Sequence, residues 1–305
     1  MPTITTHYGI SAPVQFIDVE VAADNRLFLD PHTIRLRKSG QPFADHALRC
    51  LDTFTEQVTD SILTGTPASL RHGEQLLQRF VEPWETRLGM SHCGFHGHGG
   101  ANVVGTWIWE VLTEDVEALV RIGVLKQIED LPLFVEGVDR DITSDITTRI
   151  IFDALANFTA QMMVQYPQFS AGEHRVKTFD KQIWSPDALD WVEAEMTLPV
   201  VDGKALLLVP TGWARPTLLM SAGRYYETSV LSFAQLEQAV VGSDGKLIKT
   251  PKDQLKKQTG LGRGRSTNVA VTMRAFESGE DLLAAFKAFV LERLDKNEPD
   301  EKSAA

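Results

Sequence analysis

Cysteine is nearly missing from this chain: its 305 residues hold two, Cys50 and Cys93, far apart in sequence. That excludes a disulfide-framed secreted scaffold and points to a reducing cytoplasm. Long apolar runs are missing too. Nothing approaches the roughly 18 residues that cross a bilayer, and the opening Met1-Pro2-Thr3-Ile4-Thr5-Thr6-His7 has neither the basic nor the apolar region of a signal peptide. A cytoplasmic protein without a membrane span is expected. Cations are the minority charge, 30 Lys and Arg against 41 Asp and Glu, for a net charge of -11. This balance favours solubility and argues against indiscriminate coating of nucleic acid, although a local basic patch suffices for specific binding. Complete catalytic signatures are absent as well. There is no Gly-x-Ser-x-Gly elbow, and no serine or cysteine nucleophile with an orienting partner stands out, so a hydrolase of that type is disfavoured.

What is present reads as an ordinary globular chain, 43% hydrophobic and 23% charged, long enough to bury a large core. Ile17, Val19 and Val21 alternate with Asp18 and Glu20, the period of a half-buried strand, and Leu27-Phe28-Leu29 predicts a second strand stopped by Asp30-Pro31. Apolar residues three or four apart predict helices over 44–63, from Thr66-Pro67 onward, over 101–112, over 116–122 and, most strongly, over 144–165 with Ser144 as N-cap. Beyond Pro167 strands take over. Residues 194–201 and 204–209 form a hairpin about Asp202-Gly203, the preferred type I′ pair. Helix returns over 232–240 and again from Ser278, with Asp281 three residues on. The fold class is therefore α+β. A helix-rich part over 1–178 with a short N-terminal β segment carries the candidate site. A mixed part over 179–296 packs with it as one continuous unit, and 297–305 is a disordered tail.

Leu27-Phe28-Leu29-Asp30-Pro31, the stretch from Glu82 to Gly89, the Gly-x-x-Gly-x-Gly loop, Glu136-Gly137 followed by Ser144-Asp145, and Leu206-Leu207-Leu208-Val209-Pro210 together resemble an uncharacterised prokaryotic protein group over roughly residues 15 to 215. The resemblance implies a loose association with mobile elements and phage defence. It brings no established activity and no catalytic residue.

The chemistry concentrates between Glu82 and Asp145, where ionisable groups and backbone bends cluster. Gly94, Gly97 and Gly99 precede a predicted helix, so their loop either approaches a phosphate or simply makes a tight turn. The loop lacks the Lys-Ser/Thr of a P-loop. His92, Cys93, His96 and His98 have the right donors for zinc but supply only one compact half-site, which Glu85 or Asp139 would have to complete. Otherwise they are loop histidines, some contacting phosphate or carrying a proton. Glu136, Asp139, Asp141 and Asp145 suit magnesium or manganese when substrate phosphates fill the remaining positions, or else serve as helix-start acids beside Arg140 and Arg149.

Asp145, Arg149 and Asp153 read as a salt-bridge ladder at helical spacing. Pro186-Asp187 with Asp202-Gly203-Lys204 spells a nuclease motif, yet Asp202-Gly203 reads first as a turn. The segment from Lys246 to Arg265 reverses the charge of the chain, with Lys256, Lys257, Arg263 and Arg265 suited to phosphates or to a mobile solvated loop. The six tryptophans read as core or interface anchors.

Two functions fit these residues. The first is a metal-dependent nuclease or phosphoesterase effector of a defence or mobile-element system. Glu136, Asp139, Asp141 and Asp145 would hold magnesium or manganese, with zinc fitting less well. His96 and His98 would move protons alongside Asp139 and Asp141. Gly94, Gly97, Gly99, Lys256, Lys257, Arg263 and Arg265 would hold phosphates. The second is a non-catalytic subunit that binds nucleotide or nucleic acid within a larger complex, with protein partners or a homo-oligomer. The catalytic reading requires that the histidine and carboxylate stretches share one cleft.

Overall fold

Proline and side-chain caps fix where many of the helices begin. The computed structural model describes residues 1–37, 40–80, 83–89 and 101–297. Thr3 caps α1 (Ile4–Tyr8), and a two-residue strand β1 (Phe28–Leu29) leads into α2 (Pro31–Leu36). The helix α3 (Pro42–Thr64) and α4 (Pro67–Leu77) follow. Proline occupies the first turn of α2, α3 and α4, where its fixed φ suits the helix and its missing N–H has no partner to lose. Thr66 caps α4 through the Ser69 amide at 3.2 Å, as its sequence predicts. The helix α2 is an addition: Asp30-Pro31 ends the strand by starting a helix, with Asp30 as N-cap.

The long α3 buries Leu48, Leu51, Phe54, Val58 and Ile62 along one face and packs against α4 and α9 (Phe152–Gln165). Full burial of each such side chain stabilises by about 1.5–3 kcal/mol. Between them lie α5 (Ala101–Thr113), α6 (Glu117–Arg121), α7 (Leu131–Phe134) and α8 (Arg140–Ile150). The expected single helix with Ser144 at its start is corrected. Asp139 is the cap, accepting from the amides of Asp141 at 3.0 Å and Ile142 at 3.5 Å, and the helix is interrupted at Ile151. Ser144 instead sits within α8, where its Oγ accepts from the Leu29 amide at 2.9 Å and ties β1 to the helix.

β2 (Arg175–Ser185) and β3 (Asp190–Val201) form the main antiparallel hairpin, in register from Arg175↔Val200 to Ser185↔Asp190. The turn at Asp202 and Gly203 has φ of 50° and 79°, as a type I′ turn requires. Its second strand is shorter than expected: β4 covers Lys204–Ala205 only. Leu206, Leu207 and Leu208 are fully buried; the Leu206 amide still bonds Pro199 O of β3, but those of Leu207 and Leu208 leave the ladder for Glu85 O and Thr159 Oγ1. Similarly, Val19 and Val21 are buried, but residues 16–21 join neighbouring chain through isolated bridges, Phe16 with Pro210 and Glu20 with Thr3. β5 (Ala214–Arg215) pairs with β1.

The chain then enters α10 (Ala222–Tyr225), passes through a π-helical stretch over Tyr226–Val230 and continues as α11 (Leu231–Glu237). A small hairpin of β6 (Val240–Val241) and β7 (Leu247–Ile248) follows, then α12 (Lys252–Leu255), α13 (Arg265–Glu277) and α14 (Leu282–Asn297). Asp281, whose Oδ1 accepts from Ala284 N at 2.9 Å, caps α14, whereas Ser278 closes α13. One contiguous buried cluster runs from Ile4 to Leu294, and β2 itself passes through residues 178 and 179. The fold is α+β, helix-rich toward the N-terminus with hairpins toward the C-terminus. Among the described residues, no helix is long and apolar enough to cross a membrane.

Candidate functional site

Two glycines set the surroundings of the acidic strip over 136–145. At Gly137 (φ 81°) a side chain would meet Cζ2 of Trp107, a residue of α5, at 2.8 Å. At Gly89 (φ 115°) it would meet Asp141 Oδ1 at 3.3 Å. Gly89 precedes residues 90–100 and α5 follows them, so both flanks of that stretch lie against the strip. His92, Cys93, Gly94, His96, Gly97, His98 and Gly99 themselves fall outside the described residues.

The four acids have separate employments. Asp139 caps α8. Glu136 is 76% exposed and pairs with Arg265 Nη1 at 3.3 Å. Asp141 and Asp145 are nearly buried, one turn apart on α8. Among the described residues, no three of His, Cys, Asp or Glu are grouped to hold a metal ion.

Beside the strip the chain builds a different feature. Asp30 is buried; its Oδ1 accepts from the amides of His32 at 3.0 Å and Thr33 at 3.2 Å, and its Oδ2 from Leu219 N at 2.7 Å. Burial pushes the Asp30 carboxyl up, and the Leu219 and Thr33 amides oppose that rise. One carboxylate thus fastens the segment over 217–221 to the start of α2.

That segment contributes to the lining of two neighbouring cavities. The larger, about 470 Å³, is lined by Arg140, Arg224, Arg265 and Asp139 together with apolar Leu218 and Met220. The smaller, about 160 Å³, is lined by Arg215, Arg224 and Arg293 beside Phe289. Thr217, Leu218 and Arg224 belong to both.

The guanidinium groups are held in place along part of their edges. Arg140 lies over the Phe28 ring at 4.8 Å and donates to Pro216 O at 3.4 Å. Arg224 donates to Leu219 O at 3.1 Å, and Arg265 Nε to Pro132 O at 3.4 Å. Arg293 lies over Phe289 at 4.8 Å. A guanidinium has five N–H donors in a planar fork, a geometry that matches a phosphate. Arg265 also opens α13, whose cap Gly264 contributes no side-chain acceptor. In a chain of net charge -11, Asp139 is, among the described residues, the one carboxylate that lines either cavity.

Of the basic residues expected to bind phosphate, Arg265 lines the larger cavity, and Arg263 lies against Gly223, where any side chain would collide with it. Lys256 is engaged elsewhere, pairing with Glu227 at 3.0 Å and Asp253 at 3.4 Å, and Lys257 lines neither cavity. The basic segment is not a free loop: β7 and α12 order it, and Lys252 Nζ donates to Glu227 O at 2.5 Å and Ser232 Oγ at 2.9 Å. Sequence reading assigned no phosphate role to Arg140 and missed Arg215, Arg224 and Arg293. Each stands on a different element, so no local spacing marks them.

The other candidates resolve into structural pairs. Asp153 pairs with His46 at 2.7 Å, while Arg149 donates to Gln182 O at 3.1 Å; the interruption at Ile151 breaks the expected ladder. Cys50 Sγ lies 3.8 Å from the same His46 Nε2. Both contacts fall on one nitrogen, so the imidazole cannot relay a proton between them, and burial pushes the Cys50 thiol up to about 12. Asp187 pairs with Arg49, and Asp202 occupies the hairpin turn. Trp184, Trp191 and Phe54 meet edge-to-face in the core.

No curated protein and no solved structure matches this chain. A family model described as "Domain of unknown function (DUF8370)" matches residues 9–221, more than half of the chain, and the protein belongs to that family.

Proposed function

We propose that this protein binds a phosphate-bearing ligand, a nucleotide or a nucleic acid, in the arginine-lined cleft, as a non-catalytic component of a cytoplasmic assembly. One observation carries the reading: among the described residues of a strongly acidic chain, five arginines and one carboxylate line two cavities that share Thr217, Leu218 and Arg224. Guanidinium–phosphate hydrogen bonds are charge-assisted and often bidentate, and partial exclusion of water strengthens them. The anchored side chains have less freedom to lose on binding. Calorimetric titration with adenine nucleotides and with a short single-stranded oligonucleotide tests this. Replacing both Arg224 and Arg265 with Glu should weaken binding by at least about a hundredfold, or about 2.7 kcal/mol. Equal affinity of variant and wild type would reject the cleft.

A second reading is metal-dependent phosphoester cleavage at the acidic strip. It is supported by the placement of Gly89 and Trp107, which brings both flanks of the histidine stretch against that strip. Asp141 and Asp145 would then contribute to a magnesium or manganese site, and His96 or His98 would carry a proton. Hydrolysis of an oligonucleotide that requires the metal and vanishes in a folded Asp141→Asn variant would establish it. No turnover with magnesium, manganese or zinc would leave binding as the function.

A further inference from the structure

We infer that the protein has a second binding site, for a small zwitterion of the α-amino-acid type with an apolar side chain, in a cavity that shares no lining residue with the arginine cleft. Trp84 and Arg87 come from the stretch between Glu82 and Gly89 that stands out in the sequence, and both line this cavity together with Asp24, Asp202 and Lys204. Its volume of about 510 Å³ falls within the roughly 300–1,000 Å³ of small-molecule sites.

Arg87 supplies the pole for an anion. It ends a short 3₁₀ turn over Trp84–Thr86 with φ of 57°, a conformation that residues other than glycine seldom adopt. The residue is buried, with Nε donating to Val21 O at 2.8 Å and Nη1 to the carbonyls of Trp84 at 2.7 Å and Ala205 at 3.3 Å. These bonds hold the guanidinium in one orientation and leave Nη2 without an acceptor among the described residues. Burial pushes this group down, and Glu85, Asp24 and Asp202 oppose that only through space. A buried cation held by carbonyls alone gains most from an anion that reaches it. Lys204 adds to the same pole: its Nζ lies 5.7 Å from the Trp84 ring, and Arg87 Cζ lies 5.4 Å from that ring.

The carboxylates supply the opposite pole. Asp24 and Asp202 are exposed on the lining, and among the described residues neither side chain forms a hydrogen bond or an ion pair. With two cations and two carboxylates the lining has no net formal charge, so unlike the arginine cleft it does not select a polyanion. A neutral ligand such as a sugar would desolvate these charges without pairing them. A molecule with one carboxylate and one ammonium group pairs both signs at once. Val21, Val201 and Trp84 offer apolar surface for its side chain.

Calorimetry with L-leucine and L-phenylalanine, each beside its deaminated and its decarboxylated analogue, tests the inference. At least one of the two amino acids should bind at least about tenfold more tightly than both of its analogues. Asp202→Asn keeps the hairpin turn, because Asn suits type I′ as well as Asp does. Combined with Asp24→Asn, it should cut the preference for the amino acid over the deaminated analogue to below about threefold. Lys204→Gln, at an exposed position, should likewise weaken the preference over the decarboxylated analogue by at least about threefold. Absence of binding by both amino acids, or affinities equal to those of the analogues, would overturn the site. So would undiminished preferences in the variants, with far-UV circular dichroism showing them folded, or tighter binding of glucose than of either amino acid. None of these outcomes bears on phosphate binding in the arginine cleft.

Discussion

Arg265 and Glu136, 129 positions apart in sequence, meet at 3.3 Å at the edge of the arginine cleft. Glu136 is largely exposed, and an exposed ion pair contributes only about 0–1 kcal/mol. The carboxylate therefore acts as a displaceable counter-ion, and a ligand phosphate must compete with it for the guanidinium. Replacing Glu136 with Gln removes the competitor. Phosphate-ligand affinity should rise about two- to tenfold by calorimetry, with thermal stability nearly unchanged. Weaker or unaltered binding would show that the pair does not compete.

Asp139 is the N-cap of α8, a role that can be told apart from that of a metal ligand. Asp139→Ala should lower stability by about 1 kcal/mol, and Asp139→Ser should restore most of it because a serine oxygen caps equally well. Urea denaturation reads both. A capping role alone predicts that Ser rescues; a metal-ligand role predicts metal-dependent stabilisation of the wild-type protein that Ser cannot reproduce.

Asp30 holds three amides from two separate segments. Its replacement by Ala leaves buried donors without an acceptor, each costing about 1–3 kcal/mol. A loss on the order of 3 kcal/mol is expected, together with faster hydrogen exchange at Leu219. A variant as stable as wild type would contradict the role of Asp30 in fixing the cleft wall.

Asp130 gives the fold a pH dependence. It is fully buried, with Lys287 Nζ at 2.7 Å, and burial together with neighbouring Glu129 pushes its carboxyl up to about 6 despite the ammonium. Because the folded-state value exceeds the unfolded one, this group contributes most below about pH 4, and the contribution disappears as pH rises through about 6. Glu129 behaves oppositely. Burial raises it, but His32 and Arg35 overcome that and hold it low, so its contribution is lost only as pH falls below the ordinary carboxylate range. Asp130→Asn should therefore reduce the fall in unfolding free energy between about pH 4 and pH 7 by on the order of 2 kcal/mol. Parallel pH profiles for the two proteins in urea denaturation would refute this.

Elements with local signals were legible in the sequence. Thr66-Pro67 marks the start of α4, and Asp202-Gly203 marks the hairpin turn, because each is dictated by backbone geometry within a few residues. Competition between local signals misled at α8, where Asp139 takes the cap and Ser144 bonds Leu29 across the fold. The helix α13 was hidden because its buried face is Thr267, Asn268, Val271, Thr272 and Ala275, largely polar or small, so no apolar stripe appears. The sequence marks the acidic strip as a dense region. The cleft beside it leaves no such trace, since Arg140, Arg215, Arg224, Arg265 and Arg293 converge only through tertiary packing. Three of the five lie beyond residue 221, where the family match ends.

The most direct measurement is an anomalous-scattering crystallographic experiment with tungstate, an electron-dense phosphate mimic, at a concentration comparable to its solution dissociation constant. The arginine cleft predicts an anomalous peak within hydrogen-bond distance of Arg224 and either Arg265 or Arg293. Well-occupied tungstate elsewhere on the molecule, with the cleft empty and free of lattice contacts, would contradict it.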